Sequence, residues 1–368
     1  MKTRTRLPHG FTLVEVLVVI AIIGLLVGLL VPAIGMVSKS IREKAIAMEV
    51  TTLSDAINKY EQKYNDLPPD GASLPILQRH LLKAFPQMAA SELALLTTDV
   101  FPGTSTPLVN NFGNGSAIGV MDPAEAIVFF LGGFSEDPQF PFSGVGGPIY
   151  ITDGNGVQQT SGSITPANRG SVQYNPDRNN PLYDFKQGQM TLDVIGGITA
   201  STDEGELLGN PAVNDLLPAY RPSGQRAPYV YFDHRTYAFP VGSATFYNHY
   251  TLADHGACRP YRSDDINTKV PVTPANANAY YRFMAEKSFQ LISAGLDDSY
   301  GGIPWNGIGG GPVFYRFPSG RSIDFGPVPN GAPLEGEFTN YADTSGISTQ
   351  NDNAASFADS ILGDSLAN

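Results

Sequence analysis

Cysteine, the residue that cross-links many small domains, is scarce in the sequence, and so is tryptophan. The 368 residues include one cysteine, Cys258, and one tryptophan. Because a single thiol cannot form an internal disulfide, the folded state must depend on an apolar core or on a bound metal. We expect Cys258 to behave as a small buried residue.

Charged residues are also scarce, at 16% of the chain, and acidic ones dominate. There are 35 aspartates and glutamates against 23 lysines and arginines, which gives a formal net charge of −12. Nucleic-acid binding requires a basic face, so this balance argues against a nucleic-acid partner. Glycine and proline are abundant by contrast, with 39 and 29 residues. That composition favours a loop-rich structure with β-sheet over a helix bundle.

Sequence motifs of common catalytic sites are missing. The chain has no G-x-S-x-G elbow, P-loop or H-E-x-x-H pattern, so we expect no enzymatic activity. His249, Asp254 and His255 are close in sequence, but they lack the helical i, i+4 spacing of many zinc sites. Asp122 and Glu125 could form a carboxylate pair. Their position before an apolar run instead predicts a helix cap followed by a first-turn acid.

One long apolar run dominates the N-terminal part of the chain. Residues 11–31 contain a single charge, Glu15, and the leader before them, residues 1–10, contains three basic side chains and no acid. A helix of this length rises ~30 Å at ~1.5 Å per residue, which is enough to cross a hydrocarbon core. The basic leader predicts a cytoplasmic N-terminus. We therefore expect residues 11–31 to form a transmembrane segment.

Simpler explanations of this run fit less well. A cleaved secretory signal usually has an apolar stretch of only ~7–15 residues and a small-residue cleavage site. A plain membrane anchor does not explain Glu15, because a carboxylate inside an apolar span costs ~2.5–3.5 kcal/mol on insertion scales. The position of Glu15 near the end of the span reduces that cost by snorkelling. Glu15 is therefore a candidate functional residue.

The hexapeptide GFTLVE, residues 10–15, follows the basic leader directly. It resembles the processing site of type IV pilins and type II secretion pseudopilins, and the resemblance covers residues 4–32. It implies that prepilin peptidase cuts between Gly10 and Phe11 and that the new Phe11 amine is N-methylated. It also implies that Glu15 pairs with the Phe11 amine of a neighbouring subunit during assembly. A carboxylate in lipid needs such a cationic partner.

The resemblance also implies a structural role. The chain would be a subunit of a type II secretion pseudopilus or a related type IV pilus-like filament, with copies of itself and other pseudopilins as partners. It would begin as a single-pass protein of the inner membrane and become periplasmic or extracellular in the filament. The alternative is a membrane-tethered binding or hydrolytic domain that uses a pilin-like anchor.

Residues 32–65 continue the helical pattern beyond the membrane segment. Their apolar stripe has two parts: Ile34, Val37, Ile41, Ala45 and Met48, then Leu53, Ile57, Tyr60 and Tyr64. We expect the stripe at 37–64 to pack on the chain's own globular domain and the half before Pro32 to contact other subunits. Pro32 and Gly35 are where the helix would bend. The proline-rich segment at 66–71 ends it.

The predicted fold class is α+β, with a long N-terminal helix whose second half packs against a small antiparallel β-sheet. Residues 66–368 would form the extracytoplasmic globular domain, with a loop-rich insertion at about 70–225. The periodicity predicts short helices at 74–84 and 91–97, and strands at 228–237 and 287–295.

A second resemblance lies near the C-terminus. Residues 291–301, LISAGLDDSYG, are similar to the strand and loop that open a calcium site in major pseudopilins. Asp297, Asp298 and Asp352 would supply carboxylates, and residues 291–296 carbonyls, to an ion that prefers about six to eight oxygen ligands. The sequence departs from the family in two ways. Asp298 stands where the family usually has glycine, and about 50 residues separate the two halves of the site. Without calcium, these aspartates would be solvated turn residues.

Overall fold

A computed structural model describes much of the chain from residue 12 onward. The described residues are 12–97, 121–153, 155–163, 172–195, 197–203, 216–241, 244–252, 255–270, 277–300, 313–324, 334–335, 352–362 and 364. The architecture is α+β, because one long N-terminal helix is followed by short helices and small sheets joined by loops. The predicted fold class is confirmed. The chain divides into two compact units, residues 1–45 and residues 46–368.

The described residues contain five helices, and the three longest lie in the N-terminal third of the chain. They are α1 (Leu13–Tyr64), α2 (Leu74–Ala84), α3 (Ala90–Thr97), α4 (Ala126–Leu131) and α5 (Ala277–Tyr280). Turns of 3-10 helix lie at Ser161–Ser163, Gln187–Gln189 and His234–Thr236. The prediction for 74–84 is confirmed at both ends, and α3 begins one residue before its predicted start.

The strands are short and belong to several small sheets. They are β1 (Ile149–Thr152), β2 (Gln158–Gln159), β3 (Gln173–Tyr174), β4 (Leu192–Ile195), β5 (Ile198–Ser201), β6 (Val230–Asp233), β7 (Ala238–Val241), β8 (Ala244–Tyr247), β9 (Tyr250–Leu252), β10 (Gly256–Cys258), β11 (Arg262–Ile266), β12 (Tyr281–Phe283), β13 (Phe289–Ser293), β14 (Val313–Phe317), β15 (Ser322–Asp324), β16 (Leu334–Glu335) and β17 (Ala354–Ala355).

Strand pairing in the described part of the chain is mainly antiparallel. The widest sheet has the order β12-β11-β14-β15-β16, and its β11–β14 pair is parallel. A three-stranded sheet, β17-β13-β6, is buried at every position of β6 and β13. The other pairings are β2-β1-β3, β4-β5, β7-β8 and β10-β9.

The two strongest predicted strands are present but shorter than predicted. Of the strand predicted at 228–237, only β6 forms. The strand ends at Asp233 because its carboxylate accepts a hydrogen bond from the Arg235 N–H and starts a 3-10 turn. The prediction for 287–295 narrows to β13, which pairs antiparallel with both β6 and β17. Gly295 lies beyond it with a φ of +71°, a left-handed conformation that suits a loop and not a strand.

In the first unit, α1 leaves its apolar side chains uncovered. An 18-residue window of α1 has a mean hydropathy of 3.1, and none of that window is buried. By length and composition, the helix could therefore cross a membrane. The helix continues through Pro32. Val37 and Ile41 are 58% and 63% exposed, so the prediction that this part of the stripe packs on the globular domain is wrong. The exposed apolar surface therefore extends beyond the predicted membrane segment.

In the second unit, the remaining turns of α1 pack into the main hydrophobic core. The buried positions recur every three or four residues and are Ile46, Val50, Leu53, Ile57 and Tyr60. The predicted stripe is confirmed at Leu53, Ile57 and Tyr60, and it begins at Ile46. Met48 is 72% exposed and lies on the opposite side of the helix, contrary to the prediction.

Helix α4 is apolar and buried on all sides, and polar side chains hold both of its ends. The Asp122 carboxylate accepts hydrogen bonds from the N–H groups of Ala124 and Glu125, and the Glu125 carboxylate accepts one from the Asp122 N–H. This reciprocal arrangement is a capping box. Asp122 caps the turn at 123–125 and not the helix itself, which starts at Ala126 with Glu125 as its N-cap residue, so the predicted cap lies one turn too early. Arg178 donates to carbonyl groups at the other end.

Candidate processing and assembly site

The structure describes only part of the N-terminal pattern. Gly10 and Phe11 lie outside the described residues. Thr12 is the first residue that the structure describes, and Glu15 lies in the first turn of α1. Of the predicted site residues Gly10, Phe11 and Glu15, the structure therefore describes Glu15.

Thr12 and Glu15 bind each other in both directions at the start of α1. Glu15 Oε2 accepts a hydrogen bond from the Thr12 backbone N–H at 2.8 Å and another from the Thr12 hydroxyl at 2.8 Å. The Glu15 N–H donates to Thr12 Oγ1 at 3.2 Å. This is a capping box, which satisfies N–H groups that a helix start otherwise leaves free. The sequence signature T-x-x-E was present in the hexapeptide, but the sequence reasoning missed it.

The cap changes how the carboxylate is held in an apolar segment. Negative charge is stabilised at the N-terminus of a helix by the backbone dipoles, and hydrogen bonds to a charged acceptor are stronger than neutral ones. Glu15 therefore has donors from its own chain before any neighbour arrives. A cation from another subunit would add to these donors.

Two glycines shape one side of the uncovered apolar segment. Gly24 and Gly28 are one helical turn apart, and a Cβ built at either meets nothing within 4 Å. Small residues at this spacing let membrane helices approach each other closely. Leu25 and Leu29 beside them are exposed. This segment presents an apolar surface that suits contact with another helix.

These features fit a membrane-anchoring helix that starts with a capped carboxylate and exposes an apolar surface. Comparison with known families shows that residues 6–31 match the family described as Prokaryotic N-terminal methylation motif. The chain therefore carries a type IV pilin-like prepilin signal, which implies processing by prepilin peptidase and pilin-like assembly. No curated protein and no solved structure matches the chain.

The aspartates predicted to bind calcium accept hydrogen bonds from different parts of the chain. Asp352 Oδ2 accepts from the N–H groups of Leu296 at 2.7 Å and Asp297 at 2.8 Å. Asp298 Oδ1 accepts from the Ala227 N–H at 2.7 Å. Among the residues that the structure describes, no group of three or more His, Cys, Asp or Glu side chains is placed to hold a metal ion. Calcium binding stays a prediction.

The two described histidines of the zinc interpretation lie against separate backbone carbonyls. His249 Nδ1 is 3.0 Å from the carbonyl oxygen of Tyr247, and His255 Nδ1 is 2.5 Å from that of Asp298. Asp254 lies outside the described residues. These contacts give the zinc interpretation no support.

Sequence reasoning missed a carboxylate that joins α1 to distant segments. Glu49 accepts hydrogen bonds from the hydroxyls of Tyr183 at 3.2 Å, Tyr220 at 2.9 Å and Tyr229 at 2.7 Å. Burial is the main cause that raises the pKa of all three hydroxyls, to about 12 for Tyr183. The sequence shows only a glutamate, Glu49, within a helical pattern, and nothing in it points to the tyrosines. This cluster attaches the helix to the folded unit.

A second network of polar contacts fixes the end of α1. The Tyr60 hydroxyl lies 2.8 Å from His80 Nε2, and His80 Nδ1 lies 3.0 Å from Asp66 Oδ2. Arg235 bridges Asp66 at 2.8 Å and Asp233 at 2.7 Å. Burial lowers the pKa of His80, which favours the neutral imidazole in this position. The chain of contacts joins α1, α2 and β6.

Proposed function

We propose that this protein is a structural subunit of a type II secretion pseudopilus or a related type IV pilus-like filament. The observation that carries the proposal is the match of residues 6–31 to the N-terminal methylation motif. The capped Glu15 and the uncovered apolar surface of α1 support it. Prepilin peptidase would cut after Gly10, and the new Phe11 amine would be methylated. The partners are copies of the chain and other pseudopilins.

Removal of the leader would prepare the subunit to leave the inner membrane. The leader contains three basic residues and no acid, so the mature chain has a net charge of −15. These basic residues would hold the N-terminus in the cytoplasm. After cleavage, the main barrier to extraction is the apolar surface of α1, since exposing such surface to water costs about 25 cal/mol per Å². Apolar helices of neighbouring subunits would have to cover that surface.

Glu15 would set how one subunit meets the next. A carboxylate that loses its water needs an opposite charge and further hydrogen bonds to offset the desolvation. The Phe11 ammonium of a neighbouring subunit would supply the charge, and Thr12 already supplies two hydrogen bonds. Head-to-tail contacts of this kind generate a filament when the rotation between subunits does not close a ring.

A substitution at the scissile bond tests the proposal. Gly10→Val places a branched side chain where the peptidase would accept glycine, so the full-length precursor should accumulate in the membrane. Gly24→Val is the matched control, because a Cβ at Gly24 meets nothing within 4 Å. The control should be processed like the wild type. Mature-sized protein from the Gly10→Val chain would contradict the proposal.

A further inference from the structure

The loop after β13, residues 294–300, lies where the resemblance to major pseudopilins implies a calcium site. Two of the predicted ligands, Asp352 and Asp298, hold this loop in the structure through hydrogen bonds to backbone N–H groups. Each side chain binds a different segment. Their arrangement shows what these carboxylates do in the fold.

Asp352 holds the near side of the loop. Its Oδ2 atom accepts from two successive N–H groups, those of Leu296 and Asp297. The backbone at Asp352 also lies against Gly295, where an added Cβ would be 2.3 Å from the Asp352 carbonyl oxygen. The segment that follows Asp352 pairs with β13 as β17. Asp352 therefore joins the loop to the C-terminal strand by direct contact.

Asp298 holds the far side of the loop. Its backbone is left-handed, with a φ of +62°, at the position where the resembling loops have glycine. Its carboxylate accepts from the N–H groups of Arg226 at 2.9 Å and Ala227 at 2.7 Å. Its carbonyl oxygen lies 2.5 Å from His255 Nδ1. An aspartate at this position gives an anchor to the 226–227 turn that glycine could not give.

The two carboxylates thus bind different neighbours. A calcium cage would need about six to eight oxygens directed at one point. Here the Asp352 carboxylate is directed at the loop's own amides and the Asp298 carboxylate at the turn before β6. The third predicted ligand, Asp297, accepts through Oδ1 from the Ser299 N–H at 2.9 Å. Among the residues that the structure describes, the three predicted carboxylates therefore do not form the family's ion cage. We propose that this loop is closed by carboxylate–amide hydrogen bonds from Asp352 and Asp298 and needs no divalent cation.

The test compares the melting temperature of the full-length protein in detergent with millimolar calcium and with chelator. The wild type should melt at the same temperature in both. Asp298→Gly keeps the left-handed backbone accessible and removes the anchor, so it should lower the melting temperature by about 2–6 °C. The loss should be equal with calcium and with chelator. Asp359→Asn, an exposed aspartate after β17, should melt like the wild type.

A lower melting temperature in chelator than in calcium, together with loss of that difference in Asp352→Asn, would overturn the proposal and establish the calcium site. A wild-type melting temperature for Asp298→Gly would also overturn it, because the carboxylate would then anchor nothing. Neither outcome depends on whether the protein forms a filament.

Discussion

Tyr229 donates its hydroxyl hydrogen to the Glu49 carboxylate at 2.7 Å, and this bond ties α1 to a residue 180 positions along the chain. Tyr229 lies immediately before β6, whose side chains are fully buried. The same carboxylate also holds Tyr183 and Tyr220. Glu49 is therefore the place where the helix is attached to three separate segments of the folded unit.

Removing one of these hydroxyls should destabilise the protein measurably. Tyr229→Phe keeps the ring and deletes the donor, so it should cost about 1–2 kcal/mol of the free energy of unfolding. Thermal melting of the purified protein measures the change. Tyr150→Phe is the control, because Tyr150 is half-buried on β1 and makes no hydrogen bond to Glu49. Equal melting temperatures for Tyr229→Phe and the control would show that the Tyr229–Glu49 hydrogen bond contributes nothing.

Asp122 should make stability depend on pH. Burial, and then the charge of Asp203, raises the pKa of Asp122 to about 7. The folded state therefore holds a proton that the unfolded state has released, and the contribution of Asp122 to stability falls as pH rises from about 4 to about 7. Asp122→Asn keeps an oxygen that can cap the turn and cannot ionise. Relative to the wild type, the variant should gain melting temperature as pH rises through this window.

The matched control for that measurement is Asp359→Asn. Asp359 is exposed, so its substitution should leave the difference from the wild type constant across the same pH range. If the melting-temperature difference between Asp122→Asn and the wild type is also constant across this pH range, then Asp122 is not protonated in the folded state.

Glu15 should matter for assembly and not for cleavage. Glu15→Leu removes the charge from the apolar segment, so the mature subunit should stay in the membrane more strongly. It also removes the partner proposed for the neighbouring Phe11 ammonium, so incorporation into filaments should fall. Immunoblots of sheared filaments and membranes would report both. Filament yield at the wild-type level would exclude the pairing role.

Thr12 should act through Glu15. Thr12→Val deletes the hydroxyl that both donates to the Glu15 carboxylate and accepts from its N–H, and loss of such a cap typically costs ~1 kcal/mol. We expect less filament with Thr12→Val and recovery with Thr12→Ser. In a Glu15→Leu background, Thr12→Val should add little further loss. Independent, additive losses would show that Thr12 does not position Glu15.

Local patterns predicted the elements whose signals are local. The bounds of α2 follow from periodicity, and the Asp122 cap, which lies one turn before α4, follows from a polar residue before an apolar run. Burial of the first part of the α1 stripe was predicted wrongly, because residue spacing shows that a helix face is apolar but not what covers that face. The Glu49 cluster depends on tyrosines at least 134 residues away, which no sequence window contains. The backbone N–H groups that donate to the Asp298 carboxylate are 71 and 72 residues away, also beyond any local pattern.

The central claim is that the chain is processed as a prepilin, and the N-terminus of the wild-type protein tests it most directly. The protein should be purified from membranes, and its intact mass and N-terminal sequence should be measured. The account predicts a chain that starts at Phe11 and carries one methyl group on that amine. A chain that still starts at Met1, in cells where other prepilins are processed, would contradict the account and support a tethered domain.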